Sequence, residues 1–159
     1  MDAPHPDRLP DPLPDYTEYD TRLAAYVLLT EDRPGGRRVL LALWNEGDRP
    51  QWTLPGGGAE LHEGVEQTAV REVREETGYD VVLGDVLWVS SYVITPERRH
   101  RDTDRPMKAV RVVFDGRVTG GRLRDEVDGS TDTARWVLVS DVPRLPHVSL
   151  VDEALLRLR

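Results

Sequence analysis

Residues 57–79 read Gly57-Gly-Ala-Glu-Leu-His-Glu63-Gly-Val-Glu-Gln-Thr-Ala-Val-Arg71-Glu72-Val73-Arg74-Glu75-Glu76-Thr77-Gly78-Tyr79. From Gly64 to Thr77 there is no proline, and Gly78 supplies a helix stop. Val65, Ala69, Val70 and Val73 recur at helical spacing and are expected to face a core. At roughly 100° per residue, Glu72, Glu75 and Glu76 share one arc beside that apolar stripe.

Like charges at this spacing destabilise an isolated helix by a few tenths of a kcal/mol per pair. A cation among the carboxylates would remove that penalty. A hard divalent ion, Mg²⁺ or Mn²⁺, suits carboxylate oxygens and takes substrate phosphates as further ligands. Arg71, four residues before Glu75, is placed to orient that face. A solvated acidic surface would explain the glutamates alone. The preceding Leu54-Pro55-Gly56-Gly57-Gly58 argues for more, because glycines let backbone approach a phosphate closely.

The stretch fits G-x5-E-x7-R-E-U-x-E-E-x-G-U, with U a bulky apolar residue, and so resembles the Nudix box. The resemblance implies an α/β/α sandwich with a mixed β-sheet and cleavage of a diphosphate linked to another moiety. It implies metal binding by Glu75 and Glu76, a ligand or general-base role for Glu72, and an orienting role for Arg71. It further implies a metal-ligating carbonyl at Gly56 and support of the loop–helix junction by Glu63. Where many members have glycine before the first box glutamate, this chain has His62, with Gly64 after.

The 159 residues suit one domain. A net charge of −8 argues against a nucleic-acid partner and fits a metal-assisted small nucleotide substrate. With no cysteine, disulfides and thiolate chemistry are excluded, including that of the Nudix-like isoprenyl diphosphate isomerases in their usual form. No apolar segment is long enough to span a membrane, and the N-terminus does not resemble a signal peptide, so a cytoplasmic protein is expected. The family resemblance also allows a homodimer.

Residues 1–20 contain five prolines and read as an extended or disordered arm before a domain at 21–159. Tyr16 or Tyr19 would be its stacking residues. Strands are expected at 22–30, 38–44, 51–54, 80–95 (with a break at Gly84-Asp85), 107–119 and 134–139. Ser149 is expected to cap a last helix ending at Leu158.

Outside the box, Gly57 and Gly58 are candidate substrate contacts. So are Arg98 and Arg99, in the charged stretch 97–105, as phosphate clamps. Interleaved acids make a solvated hairpin tip the alternative there. Glu126, with Glu97 as competitor, is the candidate extra carboxylate outside the helix. Trp44, Trp52, Trp88 and Trp136 are expected in the core or at its rim. Tyr92 and Pro96 lie near family substrate markers. The expected activity is hydrolysis of nucleoside triphosphates, nucleotide sugars such as ADP-ribose, or dinucleoside polyphosphates. The alternative is a non-catalytic nucleotide-binding sensor, which would usually have lost box acids.

Overall fold

A computed structural model describes residues 9–158; the first eight residues of the expected arm and Arg159 lie outside them. The strands are β1 (Asp20–Leu28), β2 (Thr30–Arg33), β3 (Gly36–Trp44), β4 (Gln51–Thr53), β5 (Gly56–Gly58), β6 (Tyr79–Ile94), β7 (Met107–Gly121) and β8 (Thr131–Leu138). The helices are α1 (Val65–Thr77) and α2 (Ser149–Arg157).

One sheet has the order β5-β1-β7-β6 and is mixed, because β1 and β7 run parallel. The other joins β2, β3, β4 and β8, all antiparallel. The chain passes between the sheets at Leu29, which splits the expected first strand into β1 and β2. Pro34-Gly35 then turns it back into β3.

Helices cover opposite sides. Ala69 and Val73 of α1 pack with Ala25, Val27, Leu40, Val81, Phe114 and Ala134. Leu150, Val151 and Ala154 of α2 pack with Leu28, Leu41, Trp52, Leu54, Trp88 and Val113. Burying one such Val or Leu contributes roughly 1.5–3 kcal/mol. This is the α/β/α sandwich. Trp52 and Trp88 are buried, and Trp44 and Trp136 are half-buried.

Three local expectations are corrected. Gly56–Gly58 is not a loop but a short edge strand, with Ala24, Ala25 and Tyr26 opposite Gly58, Gly57 and Gly56. β6 does not break at Gly84-Asp85; it absorbs the irregularity as register shifts between Leu83 and Trp88. Ser149 is the first helical residue and Val148 the cap; the Ser149 hydroxyl makes no cap bond and accepts from Arg111 Nη1 at 3.4 Å. Among the described residues, no helix is long and apolar enough to cross a membrane.

Candidate active site

Helix α1 starts where the Gln67 side chain accepts the Gly64 N–H (2.9 Å), and stops at Gly78, whose positive φ of 82° closes the last turn onto Arg74. Its arc of glutamates lies against β5, and each strand glycine meets one helix residue. The Gly56 N–H donates to Glu76 Oε2 at 2.9 Å. Gly57 lies against the Glu72 carboxylate, where a Cβ would stand 2.7 Å from its carbon. The Gly58 carbonyl accepts from Arg71 Nη2 at 3.2 Å.

Adjacent glutamates thereby acquire different environments. Glu76 is buried at 2% exposure, whereas the side chains of Glu72 and Glu75 are 15% and 49% exposed. Burial pushes the Glu76 carboxyl well above the usual range; the Gly56 N–H opposes this, and Glu72, Glu126 and Glu75 add to it. Glu72 is also raised by burial, against the pull of Arg71.

Arg71 sits at the centre of the acids. Its Nε and Nη2 bind the two oxygens of Glu63 at 2.5 and 2.9 Å, and its Nη1 donates to Glu72 (3.0 Å) and Glu75 (3.1 Å). Such a two-pronged pair fixes the guanidinium plane. Thr68 Oγ1 and the Glu60 N–H also donate to Glu63. Arg71, then the Glu60 N–H, holds the Glu63 carboxyl down at about 2.

The loop before β8 brings Glu126 to the same cluster, close enough that its charge raises both Glu72 and Glu76. It is seated by the Thr131 N–H (3.0 Å) and Oγ1 (2.6 Å). Gly129 makes room: a Cβ there would lie 1.8 Å from the Glu126 carboxyl carbon. The sequence reading passed over Gly129. Its only signal was a glycine three residues after an acid in a polar loop.

The other candidates sit on β6 and in the 96–105 segment. Arg99 bonds Asp20 Oδ2 (2.7 Å) and the Arg105 carbonyl (2.8 Å), with its side chain 5% exposed, so it ties the 96–105 segment to β1. Arg98 lies exposed in a short 3-10 turn, Pro96–Arg98, and Glu97 is exposed beside it. Tyr92, on β6, carries the Arg111 guanidinium 4.7 Å from its ring centre.

The hard oxygens that could hold a metal are those of Glu72, Glu75, Glu76 and Glu126 and the Gly56 carbonyl. Among the described residues, no three acidic or histidine side chains already converge to hold an ion. Glu72 and Glu75 are turned to Arg71. The donors still fit a divalent cation, because two desolvated carboxylates and their acidic neighbours form a site where positive charge is favoured.

The NUDIX domain family model matches residues 20–158. A putative 8-oxo-dGTP diphosphatase 3 of Mycobacterium tuberculosis is 38% identical over 128 residues, covering 77% of this chain and 55% of that protein. An ADP-ribose pyrophosphatase of Methanocaldococcus jannaschii is 31% identical, covering 67% and 55%. The chain thus spans about half the length of these curated relatives. Among solved structures, the NUDIX domain of Shewanella oneidensis NrtR, complexed with ADP ribose, superposes with a TM-score of 0.65 at 21% identity, covering 91% of this chain and 94% of that one. With a family model spanning almost all the described residues, and glycine strand and acidic helix in contact, the chain belongs to the Nudix family.

Proposed function

We propose that the protein is a divalent-metal-dependent hydrolase that cleaves the phosphoanhydride of a nucleoside diphosphate linked to another moiety. The observation that supports this best is the buried Glu76 carboxylate on the Gly56 N–H, with Glu72 and Glu126 beside it. Names of relatives, 8-oxo-dGTP diphosphatase and ADP-ribose pyrophosphatase, point to the same bond type.

In this reading Glu72, Glu75, Glu76 and the Gly56 carbonyl hold Mg²⁺ or Mn²⁺. The ion would polarise the phosphoryl oxygens and offset the acids' repulsion of an anionic substrate. The raised pKa of Glu72 suits a group that takes a proton from the attacking water, and Glu126 is the second candidate for that role. Arg71 holds Glu72 and Glu75 in place from the Glu63 side. Gly57 and Gly58, on the edge strand between Glu72 and Arg22, supply the backbone that the diphosphate would meet.

The test is a hydrolysis screen over nucleoside triphosphates including 8-oxo-dGTP, ADP-ribose and dinucleoside polyphosphates. Wild type and Glu76→Gln run side by side with Mg²⁺, Mn²⁺ or EDTA in oxygen-18 water. Metal-dependent turnover of one class, lost in the variant, is expected. Tight nucleotide binding without any turnover would overturn the reading in favour of a non-catalytic binder.

A further inference from the structure

The glycine strand has two faces of opposite chemistry. Successive strand residues point to opposite sides. Gly57 faces α1 and the Glu72 carboxylate; Gly56 and Gly58 face the α2 side. On that second side the register sets Arg22, Ala109 and Tyr92 in one row across β1, β7 and β6. Gly58, Ala24, Arg111 and Ser90 form the next row.

The Arg22 guanidinium reaches over Gly58: a Cβ there would lie 3.4 Å from its Nη2 and 3.6 Å from its Nε. It also lies against the Tyr26 hydroxyl. Burial raises the phenol's pKa, and the neighbouring guanidinium opposes that rise. Gly56, whose N–H holds Glu76, pairs with Tyr26, so the acidic and cationic sides meet across β5.

The two guanidiniums of this face differ. Arg111 is buried, bonded to Glu153 Oε1 at 2.6 Å and stacked on Tyr92. Arg22 is exposed, and among the described residues no carboxylate forms an ion pair with it. A diphosphate carries charge on both phosphates. The acidic side can hold one of them through a cation; the other needs a positive partner across the glycine strand.

We propose that Arg22 is a substrate-binding residue, whose guanidinium takes the phosphate on the α2 side of the glycine strand and seats the nucleoside against Tyr26 and Tyr92. The proposal rests on the diphosphate-hydrolase reading above for its substrate, though not for its test. Guanidinium–phosphate bonds are charge-assisted and paired, which lysine reproduces only in part.

The probe is AMP, titrated in EDTA and followed by amide chemical shifts, so the metal cluster takes no part. Shifts are expected at Ala24, Gly58 and Ala109, and Arg22→Ala should weaken AMP about tenfold, with Arg22→Lys between. In the loaded enzyme, Arg22→Ala should raise KM about tenfold with kcat within about twofold, the pattern of lost uniform binding. Arg157→Ala, on the same side over Trp88, is the charge control and should leave both readouts unchanged. Undiminished AMP binding in Arg22→Ala would overturn the proposal. So would equal weakening in Arg157→Ala, or a fall in kcat with KM unchanged. If the wild type cleaves no phosphoanhydride yet AMP binding still depends on Arg22, the hydrolase reading fails and the Arg22 site stands.

Discussion

The backbone of Gly57 and the carboxylate of Glu72 occupy adjoining space so closely that no side chain fits between them, since a Cβ at residue 57 would stand 2.7 Å from the Glu72 carboxyl carbon. The obstacle is the mobile end of a side chain rather than backbone. Gly57→Ala should therefore fold, with its thermal midpoint close to wild type, while Glu72 is pushed off its seat. A loss of kcat of about 100-fold is expected, in the range seen when a positioned acid–base group is displaced. Steady-state kinetics beside a melting curve decide this; unchanged kcat would show that Glu72 need not stand there.

Gly56 differs from its neighbour. Its φ of 150° is one L side chains rarely adopt, and a Cβ would meet the Ala25 carbonyl at 2.3 Å and Tyr26 Cα at 2.6 Å. Both obstacles are backbone, so β5 would have to leave β1. Gly56→Ala should cost at least about 2 kcal/mol by urea denaturation. A variant as stable as wild type would mean that β5 does not pair as described.

Gly129 and Glu126 allow a coupled test. Gly129→Ala expels the Glu126 carboxylate from its Thr131 seat; Glu126→Gln keeps the seat and removes the charge. If Glu126 serves the reaction, both variants should lower kcat. The double variant should then fall no further than the worse single, because contacting residues are not additive. Multiplied losses would separate Gly129 from Glu126.

His147 sets a pH dependence away from the site. Its Nδ1 faces the Leu145 carbonyl at 2.7 Å and its Nε2 faces Asp152 at 2.8 Å, two acceptors that together suit the doubly protonated ring. Burial works against the charge, but Asp152 and the Leu145 carbonyl outweigh it, and the pKa is raised above 6.5. A raised histidine stabilises fully below its unfolded pKa and loses that contribution as pH rises through the folded one. His147→Gln should therefore lower the melting temperature more at pH 5.5 than at pH 9, by less than about 1 kcal/mol in free energy. An equal difference at both pH values would refute the linkage.

Helix α1 and its stop were legible because they are local. Apolar spacing, the absence of proline and Gly78 lie within one stretch, and the same spacing grouped the glutamates on an arc. Spacing alone could not separate Glu75 from Glu76. They are chain neighbours of identical chemistry, yet one is exposed and the other buried, because only Glu76 turns under the β5 edge.

The chain by itself determined that an acidic helix follows a glycine run and that no thiol chemistry is available among its residues. Tertiary structure alone decided that Gly56–Gly58 is a strand, since its partner β1 lies some thirty residues upstream. It also decided that β1 lies parallel to β7, that Arg99 bonds Asp20, and that Glu126 joins the carboxylates from a loop about fifty residues past the helix. Those pairings depend on which surfaces bury each other when the sheets close, and a residue's own neighbours in sequence carry no record of that.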